Sequence, residues 1–299
     1  MYTLFDGIYH KQLKPLTLTK PVSELRVGIF TIKEKWEKHL DQKVAVRTKD
    51  YLSHKFESNN NKGGIGISAS FMPNESLIEA INAIGENQII VCQGKLLAIN
   101  PMPASDDNLE EYFSGFSKVE YNGQVNQIER PWDIFRINGD EIKSDFKFII
   151  GDKVVGGDGH ANQFAKKEDV FIEKVMEGSV IRGPFALCEN AEVKMGSKIY
   201  GPTTIGPYCK VGGEVNNVVF QAYSNKGHDG FLGNSVIGEW CNLGADTNSS
   251  NLKNNYGMIK AYSYLENDFI DTGLQFLGLI MGDHSKTGIN TMLNTGTVV

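Results

Sequence analysis

Apolar residues recur at every sixth position from Val175 through Ile181, Leu187, Val193, Ile199 and Ile205 to Val211, without a miss. An amphipathic helix repeats near 3.6 residues and a half-buried strand at 2, so neither element produces this spacing. A period of six fits short strands that turn a corner after each hexad and stack on the coil below. Each hexad then sends one aliphatic side chain into the interior of a prism, with small or turn residues at the corners. Gly206 and Gly212 directly follow their aliphatics, and the same phase returns at Ile237-Gly238 and Leu243-Gly244. It resumes at Met281-Gly282, with Thr287-Gly288, Leu293-Asn294 and Val299 as the next steps. The pattern predicts an all-β, left-handed parallel β-helix of hexapeptide repeats over residues 166–299.

The phase slips twice. Between Val211 and Ile237 the segment Ser224 to Asn234 (SNKGHDGFLGN) reads as irregular or looped out, and a second slip spans Ser249 to Met281. In stacked repeats, insertions map to loops on one face, often the face that binds ligands. The last hexad stops at Val299, which would leave strand edges and interior open, so a further segment is expected to follow or to cover it.

Residues 1–165 read differently. Met1 to Phe5, Lys43 to Arg47, Gly64 to Ala69 and Gln88 to Cys92 are short apolar runs of strand type. Glu24 to Leu40 and Glu75 to Ile84 carry helical spacing, with Asn74 as the cap of the second. Alternating strands and helices predict an α/β domain with a parallel or mixed, Rossmann-like sheet. Asp107 to Gln127 is polar and reads as a connection, and Trp132 to Phe148 as a helix leaving the domain for a linker.

The chain has 299 residues, 40% hydrophobic and 22% charged, which is globular composition with room for two cores. Its net charge is −6 and no Lys/Arg-dense run occurs, which argues against a nucleic-acid partner. No apolar run reaches membrane-spanning length and the N-terminus lacks a signal-peptide pattern, so no membrane association is expected. Cys92, Cys188, Cys209 and Cys241 form no CxxC pair, and the plain reading is a reduced, cytoplasmic protein.

Leu13 to Gly28, LKPLTLTKPVSELRVG, resembles the LRPLTLTRPKPLLPVGG segment of sugar-phosphate nucleotidyltransferases. Arg130 to Phe135, RPWDIF, is similar to the PWDLL segment that closes that domain in archaeal bifunctional enzymes. Those enzymes continue into a hexapeptide β-helix. Within the β-helix here, KGHDGFLGNSVIGEWCNLGADTNSSNLKNN resembles their acetyltransferase site, roughly K-x-x-H-x-x-Y-x-G-D-S-x-I-G and then N-x-G-A-G-T…A-N-L. The group in question is the bifunctional glucosamine-1-phosphate acetyltransferase and N-acetylglucosamine-1-phosphate uridylyltransferase family.

The resemblance implies that His228 is catalytic, removing a proton from the acceptor amine as it attacks the acetyl thioester. Imidazole titrates in the range this needs. It also implies that Asn251 orients acceptor and acetyl group and that Ala245 lies along the acyl-CoA thioester. The family Tyr three residues after the His is Phe231 here, and the family Arg and Lys that grip the sugar phosphate fall near Gly212 and Asn216. Lys210, Lys226 and Lys253 are the candidates to replace that charge, each a point cation rather than a bidentate fork. His284 is a candidate second functional histidine.

The nucleotidyl half departs from the family at the positions that do chemistry. The Gly-rich phosphate loop after the first strand is Phe5-Asp6-Gly7-Ile8-Tyr9-His10, with one glycine. The Lys of the PKP motif falls on Val22, and the Gly-Asp that binds magnesium falls near Gln93-Gly94. Without that carboxylate, phosphoryl transfer loses its main charge stabilisation. Lys20, Arg26 or Asp133 would have to take over. A degenerate domain, structural or sugar-binding, is therefore expected, with magnesium a cofactor only if the domain is active.

The expected activity is acetyl-CoA-dependent N-acetylation of an amino-sugar phosphate or nucleotide-linked amino sugar, in a homotrimer such as related proteins form. The rivals are a sugar-1-phosphate nucleotidyltransferase, uridylyl or thymidylyl, and a non-catalytic trimeric scaffold that binds sugars.

Overall fold

The computed structural model describes residues 1–56, 63–103, 112–149, 154–157, 160–164 and 178–299. They form two compact units. The first holds Met1–His10, Thr19–Leu25 and Thr31–Glu129; the second holds Lys11–Leu18, Arg26–Phe30 and Arg130–Val299. The boundary expected at 165/166 lies outside the described residues, as does Val175.

The first unit is built on a mixed sheet in the order Ala45–Arg47, Tyr2–Phe5, Ile65–Ser68, Lys95–Asn100, Gln88–Cys92, Ser117–Glu120. The first three strands are parallel, Lys95–Asn100 is antiparallel to both its neighbours, and Ser117–Glu120 is parallel to Gln88–Cys92. The α/β class is as expected. Ser117–Glu120 corrects the reading of Asp107 to Gln127 as connection only. All four of its residues are exposed, so no buried apolar face marks this edge strand, which pairs in parallel with Gln88–Cys92.

The helix expected from Glu24 starts only at Ile32 and runs Ile32–Leu40, because Val22–Glu24 is a single 3-10 turn. Thr31 and Glu34 set the start as a capping box. Thr31 Oγ1 accepts from Glu34 N at 3.2 Å, and Glu34 Oε2 accepts from Thr31 N at 2.7 Å, satisfying two amides that a helix start leaves without intrahelical partners. Asn74 caps Glu75–Asn82 as expected, its Oδ1 accepting from Leu77 N at 2.9 Å.

The second unit contains a parallel β-helix with three faces. The first face stacks Phe185–Leu187, Thr203–Ile205, the ends of Glu214–Phe220 and Phe231–Ile237, Leu279–Met281 and Thr297–Val298. The strand His160–Phe164, antiparallel to Val154–Gly157, extends this face beyond Phe185–Leu187, earlier than the repeat pattern began. The second face stacks Glu192–Val193, Lys210–Val211 and Asn225–Lys226, continued through Asn242 and Lys286. The third stacks Val180–Ile181, Lys198–Tyr200 and the starts of Glu214–Phe220 and Phe231–Ile237. Asn248–Ser249 and Met292–Leu293 also pair in parallel. The hexad aliphatics Ile181, Leu187, Val193, Ile199, Ile205 and Val211 are all buried in one core, where each contributes about 1.5–3 kcal/mol of apolar burial. Register continues them as Leu187, Ile205, Phe220, Ile237, Met281 along one face and as Ile181, Ile199, Val215, Leu232 along another.

The two phase slips have opposite causes. Coil-to-coil register is 18 residues at Phe185↔Thr203 and Glu192↔Lys210, 15 at Thr204↔Val219 and Lys210↔Asn225, and 17 at Glu214↔Phe231. Residues have been lost at the corners. The corner after Val211 holds only Gly212 and Gly213, whereas Lys194–Ser197 and Gly227–Gly230 occupy the same corner one coil either side. Ser224 to Asn234 is therefore not looped out; it forms strand Asn225–Lys226, a corner, and the first residues of Phe231–Ile237. The second slip is an insertion: Val236↔Ile280 jumps 44 residues, and the excursion carries the antiparallel hairpin Lys260–Ser263 and Asp268–Asp271.

The helix Asp133–Asp145 is part of this unit and packs on the coils; the linker expected after it falls largely outside the described residues. Gly139 permits the approach, since a Cβ there would lie 2.9 Å from Pro202 Cγ. Asn138 locks it: its Oδ1 accepts from Gly28 N at 2.8 Å and Thr204 Oγ1 at 3.1 Å, while its Nδ2 donates to Pro202 O at 3.3 Å. Arg130, just before the helix, grips Glu266 of the inserted hairpin through Nη1 at 3.0 Å and Nη2 at 2.7 Å. Hydrogen bonds from Arg130 and Ser263 hold the Glu266 carboxyl down to about 2.

Candidate active site on a β-helix corner

Two adjoining clefts, of about 480 and 410 Å³, open along the corner between the second and third faces and share Lys194, Gly227, His228 and Ala245. The shortened Gly212-Gly213 corner leaves a gap between the longer corners on either side, and both glycines line the larger cleft with Met195, Asp229 and Asp246. Lys210 lines the smaller cleft with Asn225, Asn242, Leu243, Gly244 and Ile289. His228 is exposed there. The structure thus brings His228, Ala245 and Lys210 to one wall. Lys194, which no motif singled out, adds a second cation, paired with Glu192 at 2.6 Å.

Lys226 is placed differently from a substrate-gripping cation. It stands in register with Val211, at the position an interior aliphatic would take, and is 1% exposed. Its Nζ donates to Gly212 O and His228 O, each at 3.0 Å. Desolvation lowers its pKa to about 8, against the pull of Asp229 and Asp246 in the other direction. Asn251 and Lys253 are not among the residues lining the two clefts. Asn251 Nδ2 donates to Asn234 Oδ1 at 2.8 Å, and Lys253 Nζ donates to Met258 O at 3.0 Å. His284 closes a ladder of rings at the corner between the first and second faces. Centroid distances from Tyr208 to Tyr223, Tyr223 to Trp240, and Trp240 to His284 are 5.2, 4.5 and 6.5 Å, with planes within 12° of parallel.

The residues that would have to take over phosphate and metal chemistry do not fit a magnesium site. Gln93 and Gly94, both at positive φ, form the turn of the hairpin joining Gln88–Cys92 to Lys95–Asn100. Asp6 accepts from Val22 N at 2.9 Å and Thr48 Oγ1 at 2.6 Å. Asp133 accepts from Arg130 N and Arg136 Nη1, both at 2.9 Å. Arg26 is buried on the β-helix, with Gln221 Oε1 accepting from its amide at 2.6 Å and Gln221 O accepting from its Nε at 3.1 Å. Among the described residues, no group of three or more His, Cys, Asp or Glu is placed to hold a metal ion. A polar cleft of about 490 Å³ remains, lined by Cys92, Gln93, Lys95, Asn122, Gln124, Asn126, Gln127 and Glu129 among others. Gln127 Nε2 donates to Tyr9 Oη at 2.8 Å beside it.

All four cysteines are free and buried, and burial pushes the Cys209 thiol up to about 12, which suits packing rather than nucleophilic chemistry. Among the described residues no helix is long and apolar enough to cross a membrane.

The family model for sugar nucleotidyl transferases matches residues 2–154, just over half of the chain. The chain belongs to that family. Among curated relatives, the bifunctional protein GlmU of Methanocaldococcus jannaschii is 31% identical over 201 residues, 60% of this chain and 43% of that protein. A bifunctional sugar-1-phosphate nucleotidylyltransferase/acetyltransferase of Sulfurisphaera tokodaii is 28% identical over 201 residues, 60% of this chain and 44% of its own length. The bifunctional protein GlmU of Methanococcus aeolicus is 29% identical over 198 residues. The chain thus spans less than half the length of the curated relatives it matches, and those relatives are transferases.

Proposed function

We propose that this chain is an acyl-CoA-dependent N-acetyltransferase acting on an amino-sugar phosphate or nucleotide-linked amino sugar. The observation that carries the reading is the corner cleft in which an exposed His228 shares walls with Ala245 and Lys210. The acceptor amine must shed a proton as it bonds to the thioester carbon, and His228 is the base within the cleft that takes it. Ala245 leaves room beside the thioester, and Lys210 with Lys194 supplies positive charge for the acceptor's phosphate. The names of the curated relatives, which include acetyltransferase, support the same class of reaction. A homotrimer with its sites between neighbouring prisms is part of the proposal.

The test is acetyl-CoA consumption with glucosamine-1-phosphate and related amino sugars. A positioned base contributes about 10²–10⁴-fold, so His228→Ala is expected to lower turnover by that factor with the coils still folded. Asn251→Ala is expected to be milder. Wild-type turnover with an equally fast His228→Ala enzyme would refute the assignment.

The family match over residues 2–154 favours a second reading, sugar-1-phosphate nucleotidyl transfer. The turn at Gln93-Gly94 and the engaged carboxylates of Asp6 and Asp133 count against it. Chelator-sensitive release of pyrophosphate from UTP or dTTP at an ordinary enzymatic rate would establish it.

A further inference from the structure

We propose that Lys226 is a positioning residue, a buried ammonium that holds the His228 corner in place over the shortened Gly212-Gly213 corner; this rests on the reading of His228 as the base. Along the second face the interior positions are Val193, then Val211, then Lys226, and Leu243 packs in the same core. An aliphatic would satisfy that core without desolvating a charge, and long cationic side chains are almost never fully buried without partners. The partners here are both corner carbonyls: Gly212 O from the coil below and His228 O from the residue's own coil, each at 3.0 Å.

The reason for a lysine lies in the missing residues. The corners at Lys194–Ser197 and Gly227–Gly230 have four residues each, but the corner of the coil between them has only Gly212 and Gly213. The Gly227–Gly230 corner therefore lacks a full-length corner beneath it. Lys226 Nζ occupies the vacated space: a Cβ placed on Gly213 would lie 2.8 Å from it, and Gly213 itself sits at φ +74°. The shortening, the glycines and the ammonium form one device. It opens the cleft and holds the turn that His228 stands on, which loop deletion alone would leave unsupported. Lys226 is 1% exposed and lines neither cleft, so it acts through His228, not on the substrate.

Lys226→Met is the test, because methionine keeps the length and apolar stem while removing both donated hydrogen bonds. Replacing a buried charge by an apolar side chain of similar size is often neutral or stabilising, so the coils are expected to stay folded with an unchanged or higher Tm. Backbone ¹⁵N relaxation and hydrogen exchange at residues 227–230 of the full chain are expected to show at least 10-fold faster exchange in the variant. The kcat for acetyl transfer is expected to fall about 10–100-fold with the KM for acetyl-CoA unchanged. Unchanged exchange at residues 227–230 overturns the proposal. A Tm loss with unchanged kcat also overturns it. If wild type proves inactive with every amine acceptor, the acetyl-transfer reading fails, while the exchange measurement still decides whether Lys226 orders the corner.

Discussion

Truncating Asn138 tests how the helix Asp133–Asp145 is locked to the β-helix. Asn138 is fully buried, and Asn138→Ala removes the acceptor for Gly28 N and the donor to Pro202 O. The carbonyl is not orphaned, because Asn217, with its amide turned to donate, reaches Pro202 O at 3.1 Å. Thr204 Oγ1 also keeps an acceptor in Gly28 O at 2.9 Å. The dominant loss is thus one buried backbone amide with no partner, about 1–3 kcal/mol. The void left by the side chain adds about 1 kcal/mol, and the better helix propensity of alanine returns less than about 0.7 kcal/mol. The net cost is about 1.3–3.3 kcal/mol, a drop of roughly 3–13 °C for a cooperative unit of this size. Calorimetry of wild type and variant reads the shift, and hydrogen exchange at the Gly28 amide reads its origin. A variant melting within 1 °C of wild type, with Gly28 equally protected, would refute this account.

Two further outcomes are expected. Lys226 titrates near 8 when folded against 10.5 in the open chain, so between those values the unfolded state binds more protons and stability rises with pH. The rise is worth up to about 3 kcal/mol, below pH 8 the buried charge is a constant cost, and the charges facing it are Asp229 and Asp246. Urea unfolding from pH 8 to 10 should show wild type gaining on Lys226→Met, and a flat difference would contradict the burial. In the ring ladder, Trp240 stacks on two neighbours at φ +58°. Trp240→Ala is expected to cost about 1–3 kcal/mol and Trp240→Gly about 1 kcal/mol less, since glycine alone is relieved of the left-handed strain. Equal melting of the two variants would show that the corner stores no strain.

The architecture was legible before any coordinates because the hexad is a local rule. Each of the aliphatics from Ile181 to Val211 repeats the same step, and a step repeated five times needs no long-range information. The cap at Asn74 was legible for the same reason, since its partner Leu77 is three residues away. The His228 motif was visible as a spacing of residue types, but not the cleft around it.

What the sequence could not decide were features that depend on the coil beside rather than the residue before. A phase slip looks alike whether residues are gained or lost, so the sequence alone reads Ser224 to Asn234 as a loop, and only inter-coil pairing traces the slip to the short Gly212-Gly213 corner and separates it from the true insertion after Ser249. Lys226 looked like a surface cation two residues from a histidine. The register with Val211 turns it inward. Asn251 and Lys253 are near His228 in motif logic, yet one is held by Asn234 and the other by Met258. The sequence by itself determined the period, and with it the β-helix. Tertiary structure alone decided which side chains share a corner, because that depends on the length of every coil between them.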